Sequence, residues 1–264
     1  MGEQSIREFY DETGWNLVGD TTTDAIINEN FTEVAREYVH KIRNRICEEL
    51  GSGPNLLDIG CGPIQYPEYL DYSKNFDKRV CVDLSKKALG IAKSKIGDHG
   101  AFFVGDYLDI KTGYEPYSGA TLINVLYHVD ILDQEKMVRK ILRELEAGAV
   151  LVVVYSNPKS FSSKLNTVLV FVKRLLRLIF QRKNFNSQSN PIYFRRHNLD
   201  FWQLFEGESK VKIKAWRTFT PAIEKVLFKR FFLGERFLKL LYKVENYKFW
   251  AKIAEYQIIT LTKK

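Results

Sequence analysis

Cysteine is scarce, at three residues in 264, and Cys47, Cys61 and Cys81 are too few and too scattered for a disulfide scaffold. No charged start leads into an apolar run and a cleavage site, so no secretory signal is read and the reducing cytoplasm is the expected compartment. Histidine numbers only four, and no His or further carboxylate stands at a ligand spacing beside Asp130 and Asp133, so no metal is expected. Cys61 has no histidine nearby in sequence and is not expected to act as a nucleophile. A membrane-spanning run is missing too: the apolar stretch 165–180 covers only about 24 Å at 1.5 Å per residue, and Lys173, Arg174 and Arg177 interrupt it. Internal repeats and low-complexity tracts are absent, which excludes solenoids and fibrous classes.

Acidic residues run short in one half only. Residues 1–156 hold 17 Lys and Arg against 25 Asp and Glu, a net charge of −8, whereas residues 157–264 hold 23 against 7, a net of +16. A basic half of this kind can face phosphates, anionic lipid or an anionic substrate, or be a solvated helical surface. Hydrophobic residues at 45% and charged residues at 27% leave neither disorder nor an all-membrane chain open.

Five apolar runs, 55–59, 79–82, 101–104, 119–125 and 149–155, alternate with helical stretches. Between them, 85–95 reads as a helix with Ser85 as N-cap, and 133–146 as another. Ahead of the first run, 24–50 places Val34, Tyr38, Ile42 and Ile46 on one helical face. This alternation predicts an α/β fold with a doubly wound parallel sheet. Beyond residue 155, the period-two stretch 211–216 and the closing run 257–262 complete seven strands, the last antiparallel. The stretches 156–192 and 217–256 are expected as helical insertions. The division expected is an N-terminal helical lid (1–54), a cofactor-binding core (55–155) and a basic C-terminal part of the same domain (156–264).

Chemistry concentrates at the C-terminal ends of the first strands. Asp58-Ile-Gly60-Cys61-Gly62 delivers an acid into a glycine turn, where backbone amides can approach a polar ligand closely. Asp83 closes the second run, where a carboxylate can accept both hydrogen bonds of a ribose diol. Asp106, followed by Tyr107, closes the third and can meet an adenine amino group. His128 lies just past the fourth run, placed as a general base. His197 in YFRRHN (193–198) is the second candidate, and Arg195 and Arg196 can clamp an anionic acceptor group. His40 and His99 read as structural or solvated.

The stretches LLDIGCGP (56–63), VCVDLS (80–85), FVGDYLDI (103–110), LINVLYHV (122–129) and LRELEAGAVLVVVY (142–155) together resemble the class I S-adenosylmethionine-dependent methyltransferases. The resemblance implies a Rossmann-like fold with S-adenosyl-L-methionine as cofactor. Asp58, Gly60 and Gly62, with Cys61 between them, would hold the methionine end. Asp83 and Leu84 would take the ribose, Asp106 with Tyr107 the adenine, and Asn124 and Leu126 would line the floor. Tyr10 and Trp15 would fold over as a lid, with Trp15 and Tyr127 also meeting the acceptor. YDETGW (10–15) and the block 64–69 resemble a bacterial subgroup from surface-glycan and natural-product gene clusters.

The leading expectation is methyl transfer to a hydroxyl of a small molecule, a sugar or glycan precursor, with His128 as base. Transfer to an amine needs no strong base and stands as the alternative. Amphipathic helices 165–180 and 223–243 on anionic lipid would instead bring a lipid-linked acceptor at the inner membrane face. A nucleic-acid substrate is disfavoured, because Asn124-Val-Leu-Tyr127 stands where an Asn/Asp-Pro-Pro-Tyr motif for a flipped base would be.

Overall fold

The computed structural model describes residues 8–18, 21–28, 33–164, 194–221, 223–224 and 234–264. Strands β1 (Gly53–Ile59), β2 (Phe76–Asp83), β3 (Gly100–Val104), β4 (Tyr117–Ile123), β5 (Leu145–Ser156), β6 (Ser209–Arg217) and β7 (Tyr256–Lys263) form one sheet. Their spatial order is β3-β2-β1-β4-β5-β7-β6. The first five run parallel, and β7 is antiparallel to both β5 and β6. The direction of winding reverses between β1 and β4, and ligands of open α/β sheets bind at such a switch point.

Each predicted strand is found, usually longer at its polar edges than its apolar run. β4 is as long as predicted but begins and ends two residues earlier. It stops at Ile123 because Asn124 turns into the left-handed region at φ 59°, and Val125 then feeds a 3-10 turn over Leu126–His128.

Successive side chains of the central strands alternate between two buried faces, which is why these strands read as predominantly apolar runs. Leu57, Val80, Val82, Leu122 and Val153 pack beneath α5 (Gln134–Glu144) and the 3-10 helix Leu199–Phe205. Leu56, Val152, Val154 and Ile258 pack against Tyr38, Ile42 and Ile46 of α2 (Glu33–Glu49) and Leu238 and Leu241 of α6 (Gly234–Val244). The side chain of Val34 lies outside the described residues. Within the predicted helix 24–50 the described residues are helical over α1 (Thr23–Asn28) and α2. α3 (Pro67–Asp71) follows β1, and α4 (Lys86–Ile96) begins as predicted, with the Ser85 hydroxyl accepting from Ala88 N at 2.9 Å.

The predicted helix 165–180 and the loop after it lie outside the described residues. Of the stretch 217–256, α6 and α7 (Lys248–Ile253) are helical. Buried Glu245 ties α6 down: it accepts from Tyr38 Oη at 2.5 Å, Arg45 Nη1 at 3.0 Å and Thr218 Oγ1 at 2.7 Å. Burial raises its carboxyl above the usual range, against the pull of Arg45 and those donors.

Candidate active site

The crevice opens where β1, β2, β3 and β4 end. Gly60 and Gly62 turn the chain with φ of 64° and 56°, a conformation glycine adopts without strain. At Gly60 a Cβ would stand 2.3 Å from Val125 Cγ2, so the close approach of the β1 and β4 ends excludes any side chain there. The turn hangs on Asp83, whose Oδ2 accepts from Gly62 N at 2.9 Å and whose Oδ1 accepts from Ser85 N at 2.8 Å. Burial pushes the Asp83 carboxyl up to about 6 despite these two backbone donors, and the neighbouring charges of Asp58 and Asp11 push the same way.

Asp106 sits on the same crevice with Oδ1 accepting from Leu108 N at 2.9 Å. Tyr107 also lines it, with its hydroxyl donated to Glu144. Cys61, Leu84 and Asn124 complete the predicted set on this wall. The Cys61 thiol is raised well above its usual range by its hydrogen bond to Cys81 and by burial, which makes it a poor nucleophile. Asn124 Oδ1 is buried without a hydrogen-bond partner, so it can accept from a ligand donor.

The N-terminal segment covers the crevice. Tyr10 stacks on Trp15 with centroids 4.6 Å apart, and the Trp15 indole lies against Gly62. Asp11 accepts from Ser85 Oγ, and Lys87 Nζ donates to Asn16 Oδ1 at 2.7 Å, so the cap is fastened to the first turn of α4. Thr22 Oγ1 donates to Gln65 Oε1 at 2.8 Å, which ties the chain ahead of α1 to the loop before α3.

A second cavity of about 400 Å³ adjoins the crevice. Tyr10, Asp24, Gln65, Tyr69, Asn124 and His128 line both spaces and so form their common wall. Aromatic rings dominate the rest of its lining: Phe9, Tyr66, Tyr127, Phe194, Trp216 and Tyr256. Two arginines also border it, each paired with a glutamate. Arg217 donates to Glu224 at 2.6 and 2.9 Å, and Arg43 stands 3.5 Å from Glu68 while its guanidinium stacks 3.3 Å from the Tyr66 ring centroid.

Several predicted site residues stand elsewhere. Asp58 points beneath the glycine turn: Oδ2 accepts from Arg79 Nε at 2.9 Å and Nη2 at 2.6 Å, and Oδ1 accepts from Thr121 Oγ1 at 2.7 Å. A carboxylate so engaged inside the protein is not available to hold the methionine end. Leu126 is fully buried in the core and lines neither space. Tyr127 lines the second cavity and not the crevice, while Trp15 lines the crevice and not the second cavity.

After Phe194, which lines the second cavity, residues 195–198 turn away, because their backbone is claimed by the core. Arg195 N donates to Tyr127 O at 2.9 Å, and His197 N donates to Tyr155 Oη at 2.8 Å. The His197 ring is stacked on Phe201 at 4.2 Å, outside both spaces, which removes it as the second base. Arg196 donates to Ser156 Oγ at 3.1 Å and, like Arg195, borders neither space, so these two do not form an acceptor clamp. His40 and His99 also lie away from both spaces: His40 Nδ1 meets Glu68 at 2.8 Å and His99 Nε2 meets Ser73 Oγ at 3.0 Å.

Sequence reasoning missed Asp24, Gln65, Tyr69, Arg217 and Tyr256. These come from four separate parts of the chain and have no common motif. Only the block 64–69, noted for its resemblance to the glycan-cluster subgroup, was a signal.

Residues 57–153 match the methyltransferase domain family. A curated relative, norajmaline N-methyltransferase of Rauvolfia serpentina, is 25% identical over 265 residues, spanning 91% of this chain and 87% of that protein. The fold is shared with the N-methyltransferase NodS of Bradyrhizobium japonicum WM9 in complex with S-adenosyl-L-homocysteine. That match has a TM-score of 0.57 at 13% identity and covers 97% of this chain and 98% of the other. It is also shared with phosphoethanolamine N-methyltransferase 2 of Haemonchus contortus, in complex with phosphomonomethylethanolamine and S-adenosylhomocysteine. There the TM-score is 0.54 at 15% identity, covering 98% of this chain and 60% of that one. The glycine turn, the acids ending β2 and β3 and the matched domain agree: residues 57–153 form a methyltransferase domain of Rossmann-like fold, with S-adenosylmethionine as its methyl donor.

Proposed function

We propose that the acceptor is an amine seated in the aromatic cavity, with its nitrogen turned to the wall shared with the cofactor crevice. The observation that carries this reading is the cavity's lining of six aromatic side chains beyond the shared wall, with the Asp24 carboxylate at the junction. Ring faces and a carboxylate attract an ammonium ion. Both bordering arginines already have glutamate partners, so the lining does not favour an anion. The names of the plant, rhizobial and nematode relatives, all N-methyltransferases, support the same reading.

The cofactor supplies a methyl group on a sulfonium, a good leaving group for in-line displacement. Toward it, Asp83 would accept from the ribose diol and Asp106 from the adenine amino group. Asn124 Oδ1 would accept from the ammonium of the amino-acid end. The segment from Tyr10 to α1 acts as a lid that excludes water and aligns the acceptor. The ammonium attracted by the cavity first gives a proton to water; the neutral amine then attacks the methyl carbon with its lone pair as the carbon–sulfur bond breaks to leave a thioether, and a proton of the new ammonium leaves to water afterwards.

One observation favours a second reading, a hydroxyl of a sugar or glycan precursor: His128 lines both spaces, where an imidazole can take a hydroxyl proton during attack. A screen with methyl-labelled cofactor over amines, polyols and nucleotide sugars tests the choice. Amines are expected to carry the label. On them, His128→Ala should cost less than about tenfold in turnover, and the rate should climb with pH toward the amine's own ionisation. Labelled polyols with unlabelled amines would reverse the assignment. That result should come with a loss of about 100- to 10,000-fold in His128→Ala.

A further inference from the structure

Helix α6 carries three stripes where a surface helix needs two. At about 100° per residue, Leu238 and Leu241 fall on the stripe buried against α2 and the sheet. Arg236, Lys239 and Lys243 fall together on an exposed basic stripe. Between these two lies a third, where Phe237 is 39% and Leu240 58% exposed.

Further large apolar side chains are exposed just past the helix. Tyr247 and Phe249, at the start of α7, are 68% and 66% exposed, with exposed Lys252 beside them. On the other side, Phe237 stacks on Phe219 and Phe219 meets exposed Phe161, each with ring centroids 6.4 Å apart. Scattered exposed apolar residues need no explanation, but a cluster of large rings flanked by cations does. The sequence running into α6, KVLFKRFFL (225–233), has the same apolar and cationic composition, and the C-terminal half carries the +16 charge. No helix among the described residues is long and apolar enough to cross a membrane.

We propose that this face docks on an anionic lipid bilayer, with Phe237, Leu240, Tyr247 and Phe249 entering the headgroup boundary and Arg236, Lys239, Lys243 and Lys252 meeting lipid phosphates. Charge decides between a bilayer and another apolar surface. A self-association face would bring its cations against like cations, whereas anionic lipid complements them and accepts aromatic and leucine side chains at the same depth. The docking face also adjoins the acceptor cavity. Phe219 sits midway along the segment 217–221, whose ends, Arg217 and Pro221, line that cavity. Docking would therefore hold the cavity close to the lipid surface, whichever acceptor it takes.

The test is co-sedimentation of the full chain with vesicles of phosphatidylcholine alone and with about one-third phosphatidylglycerol. Affinity for the anionic vesicles should be at least about tenfold higher and should fall by a similar factor as salt rises to about 0.5 M. The pair Phe237→Ser with Leu240→Ser, and separately Tyr247→Ser with Phe249→Ser, should each abolish pelleting. Cofactor affinity should be unchanged in both, since none of these four lines the crevice. Trp250, 6.5 Å from Phe249, should be quenched by brominated lipid. Equal pelleting on both vesicle types, or pelleting that survives both pairs of changes, overturns the proposal. So does a stable dimer that the first pair converts to monomer without any vesicle binding, or RNA binding with no vesicle binding. Because cofactor affinity is read separately, failure of docking leaves the methyltransferase reading untouched.

Discussion

Replacing Asp83 by alanine is expected to weaken S-adenosylmethionine binding by at least about 100-fold in titration calorimetry. A ribose diol in the crevice loses two hydrogen bonds to a charged acceptor, each worth on the order of 1.5–3 kcal/mol, and every 1.4 kcal/mol is about tenfold. The same carboxylate holds the Gly62 and Ser85 amides, so its loss also loosens the turn the cofactor approaches. A pH dependence accompanies the effect. Burial raises this carboxyl to about 6, which means that the unliganded protein disfavours its ionised form. Diol donors favour that ionised form, so binding lowers the carboxyl's affinity for a proton. The affinity should therefore be full above about pH 7 and decline as pH falls through about 6. Asp83→Asn keeps the side chain's shape and should flatten that decline while weakening binding throughout. Unchanged affinity in Asp83→Ala would remove the crevice as the cofactor site.

The central sheet was legible because parallel strands covered on both faces leave a plain mark in the sequence. Val80 and Val82 serve one face while Leu56 and Val152 serve the other, so the runs are apolar nearly throughout, and the two central exceptions, Asp58 and Thr121, bond to each other. Asp83 and Asp106 were legible for a related reason: a carboxylate that ends an apolar run at a glycine turn has few places to be except the strand's C-terminal rim. Asp58 has the same local signature yet lies inside the protein. What distinguishes it is Arg79, 21 residues away, which the β1–β2 pairing brings alongside by setting Leu56 opposite Arg79 and Asp58 opposite Cys81. A single sequence gives no sign of such cross-strand pairing. Arg195, Arg196 and His197 were misplaced for a similar reason, because a basic aromatic segment looks like a ligand clamp until Tyr127 and Tyr155 are seen to fasten its backbone. The aromatic cavity was the least legible part. Asp24, Gln65, Arg217 and Tyr256 meet only because the N-terminal cap and the last two strands close on the same end of the sheet.

The Asp58–Arg79 pair makes the second large effect, and it separates a structural role for Asp58 from a cofactor-binding one. Arg79 is 1% exposed, gives two donors to Asp58 Oδ2, and its Nη1 donates to Tyr69 O at 2.5 Å. Arg79→Met would leave a buried carboxylate with Thr121 as its remaining partner. Removing one partner of a buried ion pair costs about 3–5 kcal/mol, since the other charge stays desolvated and uncompensated. Urea unfolding should therefore show a loss of that order, with an unchanged slope. Replacing the whole pair by apolar groups of similar volume removes the stranded charge, so Asp58→Leu combined with Arg79→Met should recover most of the loss. The lost donor to Tyr69 O remains as a residual cost of about 1 kcal/mol. If Asp58 serves only the interior, the double variant should bind S-adenosylmethionine within about threefold of the parent, because Asp83, Asp106 and the glycine turn are untouched. A double variant that folds stably yet loses binding by about 100-fold would return Asp58 to the cofactor, and a loss below about 1 kcal/mol in Arg79→Met would show that water, not Arg79, compensates the carboxylate.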